Sequence, residues 1–208
     1  MRIIKGKHPK GLSACIDGQW WSINVPEDYI KATLVMRQSV YFCKDYKPHH
    51  KSDIIPSCSK GWYLDNKYHR EDGPAVILAN GHKEWHLEGK RHREDGPAVI
   101  HENGSEEWHQ NGKLHREDGP AVIYKDGNKE WHLNGKIHRV DGPAVIYADG
   151  SESWYQNDRL HRIDGPAVIR VNGHEEWHLE GKRHRIGGPA VIWTGGHEEW
   201  YKNGKFIK

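Results

Sequence analysis

Histidine is the first residue type to weigh for chemistry. The chain of 208 residues carries 17 of them, with 29 Asp and Glu and 3 Cys. Imidazole and carboxylate are the usual parts of general acid–base catalysis and, with thiolate, of metal centres. Six histidines recur at one spacing: His69, His92, His115, His138, His161 and His184 stand 23 residues apart. All but the last have an Asp three residues on, so His92, His115, His138 and His161 could be read as dyads with Asp95, Asp118, Asp141 and Asp164. A catalytic histidine, however, belongs to one asymmetric constellation. Identical copies point to a structural part: each imidazole packs on a cross-strand Trp and hydrogen-bonds the Asp-Gly turn that follows it, as His92 would with Asp95. Metal bridging between copies fails on distance. Two strands per repeat set neighbours about 10 Å apart, against Zn–N bonds of about 2.0–2.1 Å.

A second set, His86, His109, His132 and His178, follows the tryptophans Trp85, Trp108, Trp131 and Trp177, and Trp154 completes that column. The tryptophans are expected in core or intersheet packing. A single-layer sheet cannot bury both faces, so part of the column, the histidines beside it and Lys90, Lys113, Lys136 and Lys182 are expected to colour a partner-contact surface, since Trp and Tyr anchor interfaces. Cys43, His49, His50 and Cys58 form the one mixed Cys/His group, but C-x5-H-H-x7-C matches no standard zinc spacing, so a polar loop is expected there and no metal. The P-loop, nucleophile-elbow, H-E-x-x-H and dinucleotide glycine patterns are all missing from the sequence. No catalytic residue and no cofactor is expected.

These residues are positioned by a repeat. Trp recurs at 62, 85, 108, 131, 154, 177 and 200, and Gly-Pro-Ala-Val-Ile starts at 73, 96, 119, 142, 165 and 188, always 23 residues apart. The unit reads W-H-L-N-G-K-x-H-R-x-D-G-P-A-V-I-Y-x-D-G-x-x-E. Asn134-Gly135 between Trp131-His132-Leu133 and Lys136-Ile137-His138 is a strong hairpin signal, because both turn residues must take φ > 0. Pro-Ala-Val-Ile-Tyr is a short apolar strand, with proline at its first position. Lys-x-His-Arg and Pro-Ala-Val-Ile are expected to form one strand bent at Asp-Gly. Extending the hairpin register pairs Leu133 with Lys136, His132 with Ile137, Trp131 with His138 and Glu130 with Arg139. It also repeats the charge pair as Glu84–Arg93, Glu107–Arg116 and Glu176–Arg185.

Two regions follow: residues 1–60, and 61–208 with six and a half repeats. In the first, Leu12–Ile16 and Gln19–Ile23 flank Asp17-Gly18 as a hairpin, Pro26 opens a helix to about Arg37, Ser39–Cys43 is a strand, and Lys44–Lys60 is a polar loop. This segment is expected to be a small α+β cap on the repeat stack, or else a separate module.

The pattern W-x-x-N-G-K-x-H, then Gly, a short strand, Tyr and x-x-Gly, resembles the MORN repeat, in the variant found in bacterial antitoxin-like proteins, phages and large DNA viruses. The resemblance covers 61–208 and departs from the standard unit at Arg-Glu-Asp-Gly-Pro. It implies a mainly β fold, an elongated twisted antiparallel sheet of stacked hairpins. A closed β-solenoid with one coil per repeat is the rival arrangement.

Composition narrows the function classes. Leu, Ile, Val and Phe make up only about 19% of the chain, but 10 Trp and 9 Tyr supply burial in their place. No apolar run nears the ~18–20 residues of a membrane span, no signal-peptide h-region follows the basic start, and three cysteines are too few for a disulfide scaffold. A cytoplasmic setting is expected, and the resemblance implies that of a bacterial cell, a phage-infected one included. The net charge of +2 divides into +5 over 1–60, with 10 Lys/Arg against 5 Asp/Glu, and −3 over 61–208, with 21 against 24. Strong nucleic-acid binding and membrane-surface binding are not expected of the repeats. The expected function is non-enzymatic binding of another protein, with the resemblance implying neutralisation of a bacterial enzyme, toxin or defence factor. The alternative places a nucleic-acid-binding or enzymatic activity in the basic N-terminal segment, with the repeats as scaffold. Open sheet edges also invite pairing with a second copy, so a homodimer is compatible with the sequence.

Overall fold

The computed structural model describes residues 12–16, 19–23, 40–41, 60–64 and 67–208. Among them every regular element is a strand and none is a helix. The chain divides into two compact units, 1–102 and 103–208.

Two kinds of ladder alternate along the repeat. In 103–208, nine two-residue strands follow one another in a single antiparallel sheet: Glu106–Glu107, Val122–Ile123, Lys129–Glu130, Val145–Ile146, Glu152–Ser153, Val168–Ile169, Glu175–Glu176, Val191–Ile192 and Glu198–Glu199. Each inner Val-Ile strand lies between two acidic strands; Val145 faces Glu130 on one side and Ser153 on the other. Beside this ladder run two-stranded hairpins, with His132 opposite Ile137 and Leu133 opposite Lys136, as the sequence predicts. In 1–102 the ladder order is Val40–Tyr41, Lys60–Gly61, Val76–Ile77, Lys83–Glu84, Val99–Ile100. The fold is thus the stacked antiparallel hairpin arrangement, and pairing between repeats is antiparallel, which excludes a coil-per-repeat solenoid.

Local turn chemistry accounts for the hairpins. Asn134 and Gly135 have φ of 54° and 84°, the two left-handed residues that a type I′ turn demands. The N-terminal hairpin has the expected register, with Ile16 facing Gln19 across Asp17-Gly18. Val40–Tyr41 falls within the strand expected over 39–43. The helix expected from Pro26, and the loop carrying Cys43, His49, His50 and Cys58, lie outside the described residues.

The bent strand is corrected. Lys136–Ile137 and Val145–Ile146 belong to different ladders, joined by a bend at 140–142. The chain instead switches ladders at the tryptophan. Glu130 pairs with Val145 and Val122 in one ladder, while His132 pairs with Ile137 in the next. Trp131 itself donates its N–H to Ala144 O at 2.8 Å and accepts from His138 N at 3.0 Å. Glu130 is therefore paired across the strands with Val122 and Val145 and not with Arg139, and Glu84, Glu107 and Glu176 likewise face valines in place of the expected arginines.

The buried apolar core is also not the tryptophan column. In 103–208 it is Ala121, Val122, Ala144, Val145, Ala167, Val168, Ala190 and Val191, and in 1–102 it is Ala75, Val76, Ala98 and Val99, with every alanine at 0% exposure. The tryptophans are half-buried. A fully enclosed position in a close-packed interior suits the small methyl side chain of alanine.

Candidate functional site

The most regular arrangement is built on each tryptophan. Arg139 lays its guanidinium 4.2 Å over the Trp131 ring, donates from Nε to Asp141 at 3.0 Å and from Nη1 to Pro143 O at 3.2 Å. Arg93 does the same over Trp85 with Asp95, Arg116 over Trp108 with Asp118, and Arg162 over Trp154 with Asp164. Arg185 covers Trp177 at 3.8 Å, with glycine where the others have Asp. The glycine of Gly-Pro makes this possible, since a Cβ on Gly142 would lie 3.0 Å from the Arg139 Cζ. One face of each expected aromatic anchor is thus already closed by a cation.

These bonds also reassign the first histidine set. The Asp carboxylates take the arginine two residues earlier, and that arginine holds Asp95, Asp118 and Asp141 below their ordinary titration range. The histidines serve the following repeat instead. His115 Nδ1 accepts the Asn134 N–H at 3.1 Å, His138 that of Asn157 at 3.3 Å, and His184 that of Asn203 at 3.1 Å. His161 Nδ1 lies 3.3 Å from Glu180 N and 2.9 Å from its carboxylate. In the first unit His69 binds Glu88 N, and His92 Nε2 lies 3.8 Å from Glu94. Each N–H so bound belongs to the first left-handed residue of the next hairpin turn, so the imidazole pins that turn to its own repeat.

The second histidine set is not on an open surface. His86, His109, His132 and His178 are only 7–8% exposed. Strand alternation puts each on the face of the Glu two residues back, and Nε2 lies 2.6 Å from Glu84, 2.7 Å from Glu107, 2.8 Å from Glu130 and 2.9 Å from Glu176 respectively. Two glutamates are bracketed from both sides. Glu84 also binds His82 and Arg91, and Glu176 also binds His174 and Arg183. The His86 hydrogen bond, with those of His82 and Arg91, holds Glu84 far below the usual carboxylate range against the opposing effect of burial. The His178 bond chiefly lowers Glu176 to about 2. The sequence signal was available: His-x-Glu-x-His at 82–86 and 174–178 has the period of a strand face. Lys90, Lys113, Lys136 and Lys182 are exposed, as expected of them.

Among the described residues no group of three His, Cys, Asp or Glu could hold a metal ion, and no helix is long and apolar enough to cross a membrane. An open groove in 1–102 is lined by Arg70, Asp72, Trp85, Leu87, Arg93 and Asp95, which are the sides of two successive Arg–Trp–Asp arrangements. In it Arg70 is bonded to Asp72 and Arg93 to Asp95. No protein-family model matches the chain, and a search of curated proteins finds no match.

Proposed function

We propose that this chain is a non-enzymatic repeat protein whose surface binds another protein, and that it neutralises a bacterial enzyme, toxin or defence factor in the cytoplasm. One observation carries the reading. The acids, bases and cations that could do chemistry are engaged in bonds that recur every 23 residues, as in Arg139–Asp141 and Arg162–Asp164, or His132–Glu130 and His178–Glu176. Catalysis asks for one asymmetric constellation. A periodic array instead offers area and length, as in other repeat proteins that bind macromolecules. The neutralising role rests on the MORN-like form of the repeat and is an analogy between folds.

Affinity capture from bacterial lysate with the full chain, read by mass spectrometry, tests this. The expected result is one stoichiometric protein whose activity falls when the complex forms. Capture of nucleic acid alone would move the function to the basic N-terminal segment. Turnover of any captured protein by the chain would overturn the non-enzymatic reading.

A further inference from the structure

The repeat position that follows His-Arg changes character along the chain. It is Glu71, Glu94 and Glu117 in the first three repeats, then Val140, Ile163 and Ile186. The glutamates are exposed, with side chains at 74%, 86% and 83%. The aliphatic residues stay exposed too, at 77%, 85% and 84%. They are the most exposed large apolar residues among those described, and they occupy equivalent points in three successive repeats of one compact unit. Isolated surface aliphatics need no explanation, but a periodic row of them does.

We propose that the row Val140, Ile163, Ile186 is a docking surface for an amphipathic α-helix that carries apolar residues every seventh position with basic residues beside them. This inference rests on the protein-binding reading above and names the chemistry of the partner. Two strands per repeat place neighbouring members of the row about 10 Å apart. Seven residues of α-helix advance about 10.5 Å. An extended strand shows the same face every ~6.8 Å and falls out of step. A polyproline segment advances ~9.3 Å per turn, but it docks on aromatic grooves, and this row is aliphatic.

Charge selects the flanks. Beside the first two members the Arg139 and Arg162 side chains are tucked onto tryptophan at 24% and 25% exposure, whereas their partners Asp141 and Asp164 stand at 84% and 86%; beside Ile186 that place is Gly187, so the acidic margin lies at the Val140–Ile163 end of the row. An approaching partner therefore meets carboxylate, and Glu117 and Asp118 continue this beyond Val140. Such a margin attracts Lys and Arg and disfavours an anionic membrane. Area argues against a second copy: three such side chains offer on the order of 400 Å², about half of what each partner of a stable dimer buries.

The test uses the full chain and a synthetic helical peptide of about three heptads, with leucine every seventh residue and lysine beside each leucine, against a peptide of the same composition with leucine every fifth residue. The readout is fluorescence anisotropy. The substitutions Val140→Glu, Ile163→Glu and Ile186→Glu install the residue that repeats one to three already carry at this point, so the fold is kept; circular dichroism checks this, with Ile163→Thr as a milder variant. Saturable binding of the seven-spaced peptide is expected, weakened about tenfold by Ile163→Glu and abolished by the triple variant. Equal binding of both peptides, tighter binding of a proline-rich peptide, or undiminished binding by the triple variant overturns the proposal. So does a dimer or vesicle binding that the triple variant abolishes. If a captured bacterial protein still binds the triple variant, the docking row falls and the protein-binding function stands. If the peptide binds as expected and no bacterial protein is captured, the docking row stands and the neutralisation of a bacterial factor falls.

Discussion

Glu176 concentrates the electrostatics of the repeat. His174 Nε2 lies 2.9 Å from one of its oxygens, and His178 Nε2 at 2.9 Å and Arg183 Nε at 3.1 Å serve the other. The His178 bond is the main reason its carboxyl falls from an ordinary 4.5 to about 2. A depressed folded value means that the unfolded chain takes up the proton first. The stability contributed is present above about pH 4.5 and is lost as pH falls towards 2. We therefore expect the difference in Tm between the native chain and Glu176→Gln to shrink steadily from pH 5 to pH 2 in thermal melts. A constant difference would show that the carboxylate charge is irrelevant. The histidine–glutamate pairing was legible, because residues two apart on a strand share a face. The arginine partner was not. Arg139 stands eight residues after Trp131 as Arg93 does after Trp85, a fixed spacing in the sequence, yet extending the hairpin register assigned the arginine to Glu130. That register stops where the chain leaves one ladder for another, and no local residue announces the change.

Hairpins were the easiest elements to read, because a two-residue turn with left-handed φ is a local requirement. Even the exception obeys it. Asp158 takes φ 66° where the other described turns of this hairpin have glycine, and its carboxylate accepts the Ile137 N–H at 2.8 Å, which offsets the strained backbone. The ladder of Val-Ile strands was harder. Its partners stand up to 15 residues away, as Val145 does from Glu130, and the burial that selects alanine comes from neighbours on both sides. Tryptophan, the larger residue, was the natural candidate for the core on area alone, but its bulk is accommodated at the margin under a guanidinium. Ala144 has no such room, being fully buried under the ladder. Ala144→Leu is expected to destabilise the chain by about 1–3 kcal/mol in urea denaturation, the cost typical of overpacking. A neutral or stabilising result would mean that the ladder spacing is loose.

Among the described residues of the repeats, the side-chain and backbone bonds join neighbouring repeats. The Asn80–Glu102 side-chain bond spans 22 residues, and His115 reaches 19 residues to Asn134. Stability of this kind adds up from neighbouring units. Hydrogen exchange on Ala144→Leu should therefore quicken at Trp131 and Ala144, whose amides bond across the altered ladder, and leave Trp177 and Trp200 amides protected. Uniform acceleration along 103–208 would reveal instead a single cooperative body. The pinning of each turn by the histidine of the preceding repeat has a consequence for the gene. Every unit presents the socket its neighbour needs, so an unequal crossover that deletes or duplicates a block of 23 codons rejoins matching parts, whereas any other length breaks them. Copy number is then free to drift under selection, and the chain can lengthen or shorten its ladder of repeats without relearning how to fold.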